Sequence, residues 1–307
     1  MSEQENEKPV KQLTRKTQRL IDTSVKIATE PMCSGDRAFA HAILCNVGMP
    51  RSKVDGNEFI RQCGGAVLKI TGGDLWDGME LVAQPIPYGP MPRLIMAYLN
   101  TYALRLSSPE VPVGDSASEF LRMLGKGTDG GKRGAFTTFR KQTQALAACH
   151  MVLGFTANGI AYTYNGQPVQ EFQAFVNDKH DQPSLWPGVV RLSDEYYRTL
   201  KEHAVPLDMR ALAELKGSSL ALDIYYWLAQ RLYRIEGRPI VLHWKALRDQ
   251  FGQEYTGENA EKDFKTTFTA AFNQVLLAYP TAKAKRVTGG LLLAASPPPV
   301  APRGQLV

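Results

Sequence analysis

Apolar residues along the chain switch between two spacings. At strand spacing, AVLKI (66–70) and MELVAQPIP (79–87) predict two strands about a Gly-Asp turn. From residue 88 the interval opens to three and four. YGPMPRLIMAYLNTYALRL (88–106) sets a proline at a helix start and strings Leu94, Tyr98, Leu99, Tyr102 and Leu106 along the helix. EVPVG (110–114) predicts a short strand. Ser116-Ala117-Ser118-Glu119 is a capping box opening a helix through Leu124, because serine and glutamate each satisfy the other's exposed amide. A glycine-rich loop leads into a helix over 135–151, and strands follow at 152–155, 160–164 and 169–177.

The second half predicts the same order. GVVRL (188–192) reads as a strand and SDEYYRTLKEH (193–203) as a capped helix with Asp194 and Glu195 at its positive end. A helix over 211–235 breaks near Gly217, and RPIVLHW (238–244) is a short strand. KALRDQFG (245–252) is a short helix ending on glycine, and ENAEKDFKTTFTAAFNQVLLAY (258–279) a long one stopped by Pro280. AKAKRV (282–287) and LLLAAS (291–296) form a hairpin across Gly289-Gly290, and PPPVAPRG (297–304) an extended tail. Helix, strand, short helix, longer helix and hairpin is the order of a winged helix, a form of helix-turn-helix. The expected fold class is therefore α+β with tandem winged-helix domains: a basic helical arm over 1–34, a first domain over 35–184 and a second over 185–307. The repetition is of structural order and not of residues.

Length and charge narrow the class. A chain of 307 residues, 44% hydrophobic and 21% charged, has room for two globular domains. Its net charge of +6 favours polyanionic partners. Lys8 to Lys26 carries six cations against Asp22 alone, which fits a solvated helix and a nucleic-acid-binding arm equally. Cys33, Cys45, Cys63 and Cys149 match neither a disulfide framework nor a zinc site. With a polar N-terminus and no apolar run of spanning length, the expected location is cytoplasmic, with no membrane partner.

The segment GKGTDGGKRG (125–134) resembles a phosphate cradle, yet it fails as a nucleotide loop. Neither Lys126 nor Lys132 is followed by serine or threonine, and a capped helix stands where the feeding strand belongs. It reads better as the turn between two helices, with Lys132 and Arg133 placed to approach duplex phosphates. In the next helix Phe136, Phe139 and Leu146 share one face, while Arg133, Thr137, Arg140, Lys141 and Gln144 share the other. An amphipathic helix that is merely basic explains this segment equally well.

The helix at 258–279 carries the stronger signal. Phe264, Phe268, Phe272, Val275 and Leu276 make a core stripe, opposite Lys262, Lys265, Thr266, Thr269 and Asn273. Threonine and asparagine are mediocre helix formers, and a merely solvated face more often carries glutamate–lysine pairs. Asparagine pairs bidentately with adenine, and a threonine methyl meets thymine. Lys283, Lys285 and Arg286 fall on the following hairpin, where they would brush a DNA backbone. No catalytic constellation is visible: there is no His-x-His pair, no Gly-x-Ser-x-Gly and no HExxH. Tyr225-Tyr226 sits in an apolar helix as core. The expectation is a protein without enzymatic activity or cofactor.

Taken together, PYGPMPRLIMAYLNTYA (87–103), SASEFLRMLG (116–125), SSLALDIYYWLAQRL (218–232), LHWKALRDQFG (242–252), EKDFKTTF (261–268), AYP (278–280) and SPPPV (296–300) resemble plasmid replication initiators of the RepA type, over roughly residues 37 to 300. The resemblance implies binding to repeated sites (iterons) in double-stranded origin DNA, opening of the adjacent duplex, recruitment of host initiator and helicase machinery for theta-type replication, and a monomer–homodimer equilibrium. It also implies that Lys262, Lys265, Thr266, Thr269 and Asn273 belong to the second recognition helix. Arg133, Arg140 and Lys141 would belong to the first, a helix that helps form the dimer in related initiators. A winged-helix transcriptional repressor is the alternative.

Overall fold

A computed structural model of the chain describes residues 14–113, 117–127, 134–157, 159–172 and 188–300. The described residues begin with helix α1 (Arg15–Thr29), whose first turn is capped by Thr14. Strand β1 (Arg37–His41) and the short helix α2 (Ala42–Asn46) follow. Strands β2 (Glu58–Cys63) and β3 (Ala66–Thr71) lead to a small hairpin of β4 (Asp74–Trp76) and β5 (Leu81–Ala83). Helix α3 (Pro90–Leu106) starts on Gly89 and Pro90 and is buried on every side from Met91 to Thr101. Next come β6 (Glu110–Pro112), α4 (Ala117–Met123), α5 (Ala135–Ala148), β7 (His150–Ala157), β8 (Ile160–Gly166) and β9 (Val169–Phe172).

The second half holds β10 (Val189–Leu192), α6 (Asp194–His203), β11 (Ala204–Asp208), α7 (Met209–Leu215) and α8 (Ser219–Arg231). The Ser193 and Ser218 hydroxyls cap α6 and α8. Then follow β12 (Ile240–His243), α9 (Trp244–Phe251), α10 (Ala260–Ala278), β13 (Ala284–Val287) and β14 (Gly290–Leu293). Among the described residues no helix is long and apolar enough to cross a membrane.

The mixed helix-and-sheet class agrees with the α+β expectation, but the pairing of strands is less repetitive than the order of elements. In the second half β12, β14 and β13 form one antiparallel sheet, so the strand after α8 joins the closing hairpin. In the first half hairpin β7–β8 pairs instead with β3, giving the sheet β2-β3-β7-β8, while β6 pairs with β10. The reason lies in side-chain alternation: Met151, Leu153 and Phe155 of β7 stand opposite Ile70, Leu68 and Ala66 of β3, so both strands turn the same face inward. Two ladders cross residue 184/185, β6–β10–β9 and β1–β11. One contiguous core spans both halves, including Leu94, Phe139, Leu153, Tyr196, Trp227 and Phe268.

A buried ionic cluster joins the halves at the centre. Arg93 of α3 grips Asp223 of α8 bidentately, with Nε donating to Oδ1 at 2.6 Å and Nη2 to Oδ2 at 2.9 Å. Arg51 donates to the same carboxylate at 3.1 Å and to Glu254 at 3.0 Å, and Arg61 donates to Glu254 at 2.6 Å. The spare donors of Arg93 are taken by the carbonyls of Met49, Pro50 and Gly89. Gly48 is required beside the cluster, since a Cβ there would lie 2.7 Å from Asp223 Oδ2. Burial by itself raises the Asp223 carboxyl, but the Arg93, Arg51 and Arg61 charges outweigh it and the net shift is downward.

Asp223→Asn leaves the buried Arg93 without a carboxylate and takes one of two from Arg51, and is expected to destabilise the protein by about 3–5 kcal/mol in urea unfolding. His41 is nearly fully buried, and burial followed by the His203 charge holds its imidazole down at about 3. Its Nδ1 caps α2 by accepting from the Ile43 amide at 3.3 Å, a bond that protonation would break. The folded state therefore keeps His41 neutral while the unfolded chain takes up a proton below about pH 6.5. This share of stability is present above that value and lost as pH falls towards the folded pKa. Between pH 7 and pH 5 the native protein is expected to lose about 2 kcal/mol more than His41→Asn, which keeps a capping acceptor.

Candidate nucleic-acid interface

Helices α9 and α10 meet at a turn set by Gly252, where a Cβ would lie 2.6 Å from Arg248 Cγ and 3.0 Å from Phe264 Cδ2. The aromatic stripe of α10 points inward as its spacing predicts. Phe264, Phe268 and Phe272 are fully buried, with Trp244 edge-on to Phe264 and Phe268 at centroid distances of 6.4 and 5.9 Å. Lys262, Thr266 and Asn273 are exposed on the opposite side, and Lys265 and Thr269 are half-buried at its margin. Thr266 Oγ1 donates back to the Lys262 carbonyl at 2.9 Å, which fixes the rotamer of the hydroxyl.

The polar face does carry a glutamate–lysine pair of the kind found on solvated helices: Lys265 Nζ bonds Glu261 at 2.5 Å, one helical turn away, and lies 5.9 Å from the Trp244 ring centroid. The hydrogen bond from Lys265, and then its charge, hold the Glu261 carboxyl below its usual range. Lys265 is thus partly committed within its own helix. Lys262 makes no ion pair among the described residues.

The hairpin adds three more exposed cations. Lys283 immediately precedes β13, Lys285 and Arg286 lie on it, and β13 is the outer strand of its sheet. None of the three makes an ion pair among the described residues. The turn is shaped by Gly289 (φ 88°), and Gly290 packs directly on the Leu242 carbonyl of β12. An amphipathic helix with a polar outer face, where Lys262 and Lys265 are balanced by Glu261 and Asp263 in its first turns, therefore stands beside a cationic hairpin.

The first half is arranged differently. Arg140 is half-buried and Lys141 exposed on α5, whereas Lys132 and Arg133 lie outside the described residues. Phe139 and Leu146 are buried, but Phe136, expected on the same face, remains exposed. Gln142 turns inward, where its Oε1 accepts from the Tyr88 amide at 2.7 Å. Lys126 of the glycine-rich loop does not point to an open surface. Its Nζ donates to the Lys216 carbonyl at 2.7 Å, and Lys216 Nζ donates in return to the Gly125 carbonyl. Burial, then the Lys216 charge, lowers the Lys126 ammonium, so this end of the loop is fastened to the α7–α8 turn.

Sequence spacing also missed what orients α10. The α9–α10 turn is held by Arg51, which donates to the Phe251 carbonyl at 2.6 Å, and by Arg61, whose Nε donates to Gln253. Those arginines lie some 200 residues upstream, and no local pattern marks them. Helix α1 packs against α7 and α10, with Leu20 buried and Arg19 paired to Glu214 at 3.0 Å. Among the described residues no group of three or more histidine, cysteine or carboxylate side chains could hold a metal ion.

These features define an α+β protein that presents a polar helix face beside a basic hairpin. The model of the family of plasmid-encoded RepA proteins matches residues 86–245, just over half of the chain. The chain belongs to that family, as a RepA-type plasmid replication protein. The match is shorter than the span from 37 to 300 over which the sequence resembles such initiators, and it ends before α10. No curated protein and no solved structure matches the chain.

Gly290→Ala tests the hairpin. A methyl group there is driven into Leu242, and the β12–β14 ladder must open to admit it. The expected cost is about 1–3 kcal/mol in urea unfolding, with faster amide exchange over residues 284–293.

Proposed function

We infer that the protein initiates plasmid replication by binding repeated sites in double-stranded origin DNA, without enzymatic activity of its own. The single observation carrying this reading is the polar face of α10, Lys262, Thr266, Thr269 and Asn273, set beside Lys283, Lys285 and Arg286, which make no ion pair among the described residues. The order α8, β12, α9, α10, β13, β14 supports reading this part as a winged helix, with α10 in the major groove and the β13–β14 hairpin against the backbone. Family membership supplies the replication context.

On this reading the division of labour follows from chemistry. Lysine and arginine bind any duplex by releasing counterions, with salt-dependent affinity. Asn273 and the threonine methyls address base edges. Binding at neighbouring repeats then provides free energy to distort the adjacent duplex. Host initiator and helicase machinery are the expected partners, the cytoplasm the expected location, and a monomer–homodimer equilibrium the expected state.

Fluorescence anisotropy with an iteron duplex and a scrambled duplex, over a range of salt, tests the assignment. Lys262→Ala is expected to weaken binding to both duplexes and to reduce the salt slope by about one. Lys265→Ala acts in the same direction but less, because Glu261 already shares that charge. Asn273→Ala is expected to remove about 1–3 kcal/mol of discrimination between the duplexes and to leave the salt slope unchanged. Native-like binding by both Lys262→Ala and Asn273→Ala removes α10 from the interface.

A further inference from the structure

The β4–β5 hairpin has no part in the surface described above. It projects from the end of β3 and carries large apolar side chains into solvent: Met79 is 89% exposed, Leu81 68% and Trp76 62%. Asp74, Asp77 and Glu80 lie among them, and residues 74–84 contain no lysine or arginine. None of these three carboxylates makes an ion pair among the described residues. The tip is nevertheless ordered. Asp77 Oδ1 accepts from the amides of Met79 and Glu80 at 2.8 and 2.9 Å, and Gly78 takes φ 104°. At the base Gly72 and Gly73 pack so closely on Asn57 and Ala148 that no side chain fits. A preorganised hairpin bearing Trp, Met and Leu is built to be buried against something. Its three carboxylates repel phosphate, so that partner is not nucleic acid.

A surface of complementary character lies at the far end of the same sheet. Strands β2, β3 and β7 run from a row of Glu58, Thr71 and His150, next to the hairpin, to a row of Cys63, Ala66 and Phe155. Beyond that second row opens a cleft of about 670 Å³ between the sheet and α2, α8 and β12. Its walls include Ile43, Phe155, Trp227 and Ile240. Its charged lining is Arg231, Arg234 and Glu236, an excess of positive charge. Arg51, Arg61 and Arg93 are all matched to carboxylates. Arg231 and Arg234, by contrast, have no carboxylate partner among the described residues. Arg231 Nε is buried without any hydrogen-bond partner.

We propose that the β4–β5 hairpin of one copy inserts into this cleft of a second copy, with Trp76, Met79 and Leu81 against the apolar walls and the hairpin carboxylates on Arg231 and Arg234. Hairpin and cleft are separated by the length of six-residue strands, about 20 Å, and sit at opposite ends of one sheet. The contact is therefore head-to-tail, and repeating it generates an open chain of copies and not a closed twofold dimer. The cleft has the size at which pockets enclose compact ligands, enough for an indole and its neighbours. No DNA is needed for the contact, so its test is separate from that of the α10 surface.

Two variants and their mixture decide the matter by sedimentation velocity at low salt without DNA. Trp76→Ser/Met79→Ser/Leu81→Ser lacks the hairpin side chains and keeps the cleft; Arg231→Glu/Arg234→Glu reverses the cleft charges and keeps the hairpin. The native protein is expected to form species that lengthen with concentration. Each variant alone should lose them, with association weakened at least about tenfold. An equimolar mixture should recover association between the two variants that neither shows alone, one hairpin to one cleft. Arg234→Glu alone, at an exposed position, should also weaken association, and a native thermal transition in it separates loss of contact from loss of fold. The proposal is overturned if the native protein shows no such growth, if either variant associates like the native protein, or if the mixture yields no pair.

Discussion

The Asp223 carboxylate, enclosed in the centre of the molecule, is the constraint from which the rest is arranged. A lone buried charge is intolerable, and its neutralisation draws Arg93 from α3 and Arg51 from the preceding segment to a single point on α8. Arg51 and Arg61 then need a second carboxylate, and they find it in Glu254 on the turn that precedes α10. Three guanidinium groups and two carboxylates thus form one unit whose members cannot be removed singly. Because α3 and α8 are buried on all sides around it, the first and second halves share a core.

That arrangement gives α10 its direction. The helix is fixed on its inner side by stacked phenylalanines and at its start by a turn bonded to Arg51 and Arg61. Among the described residues its outer side carries no such tie, and the Glu261–Lys265 pair and the Thr266 bond to the Lys262 carbonyl lie within the helix itself. A surface that must present short polar groups at a set angle benefits from this kind of support, since the rigidity comes from behind. Arg93 and Asp223 both lie within the span matched by the family of plasmid-encoded RepA proteins, whereas α10 and the cationic hairpin lie beyond it. The matched region therefore contains the centre of the scaffold, and the surface in question is mounted on it.

The four-stranded sheet shows a different use of the same core. Its inner face is apolar and closed, while its two ends differ in character: an acidic, apolar hairpin at one, and at the other a cleft whose Arg231 and Arg234 have no carboxylate partner among the described residues. The acidic end is chemically unlike the hairpin β13–β14 and the cleft, so the overall excess of positive charge does not describe that end of the sheet.

Local sequence determined much of the element order. Caps at Ser193 and Ser218, proline at the start of α3, and three- and four-residue apolar spacing in α3, α8 and α10 each report a nearest-neighbour requirement and can be read in one dimension. The inward phenylalanines of α10 and the exposure of Lys262, Thr266 and Asn273 were legible for the same reason. Strands β1, β2 and β11 and helix α2 were not, because β1 gains its partner only across the interval from Ala38 to Leu207. Nor could spacing foretell that hairpin β7–β8 would join β3, that Lys126 and Lys216 would tie each other's loops, or that Arg51 and Arg61 would hold a turn some 200 residues away. Periodicity decides which face of an element avoids water. Which element covers that face, and which buried charge meets which, is settled only when distant segments compete for the same enclosed space.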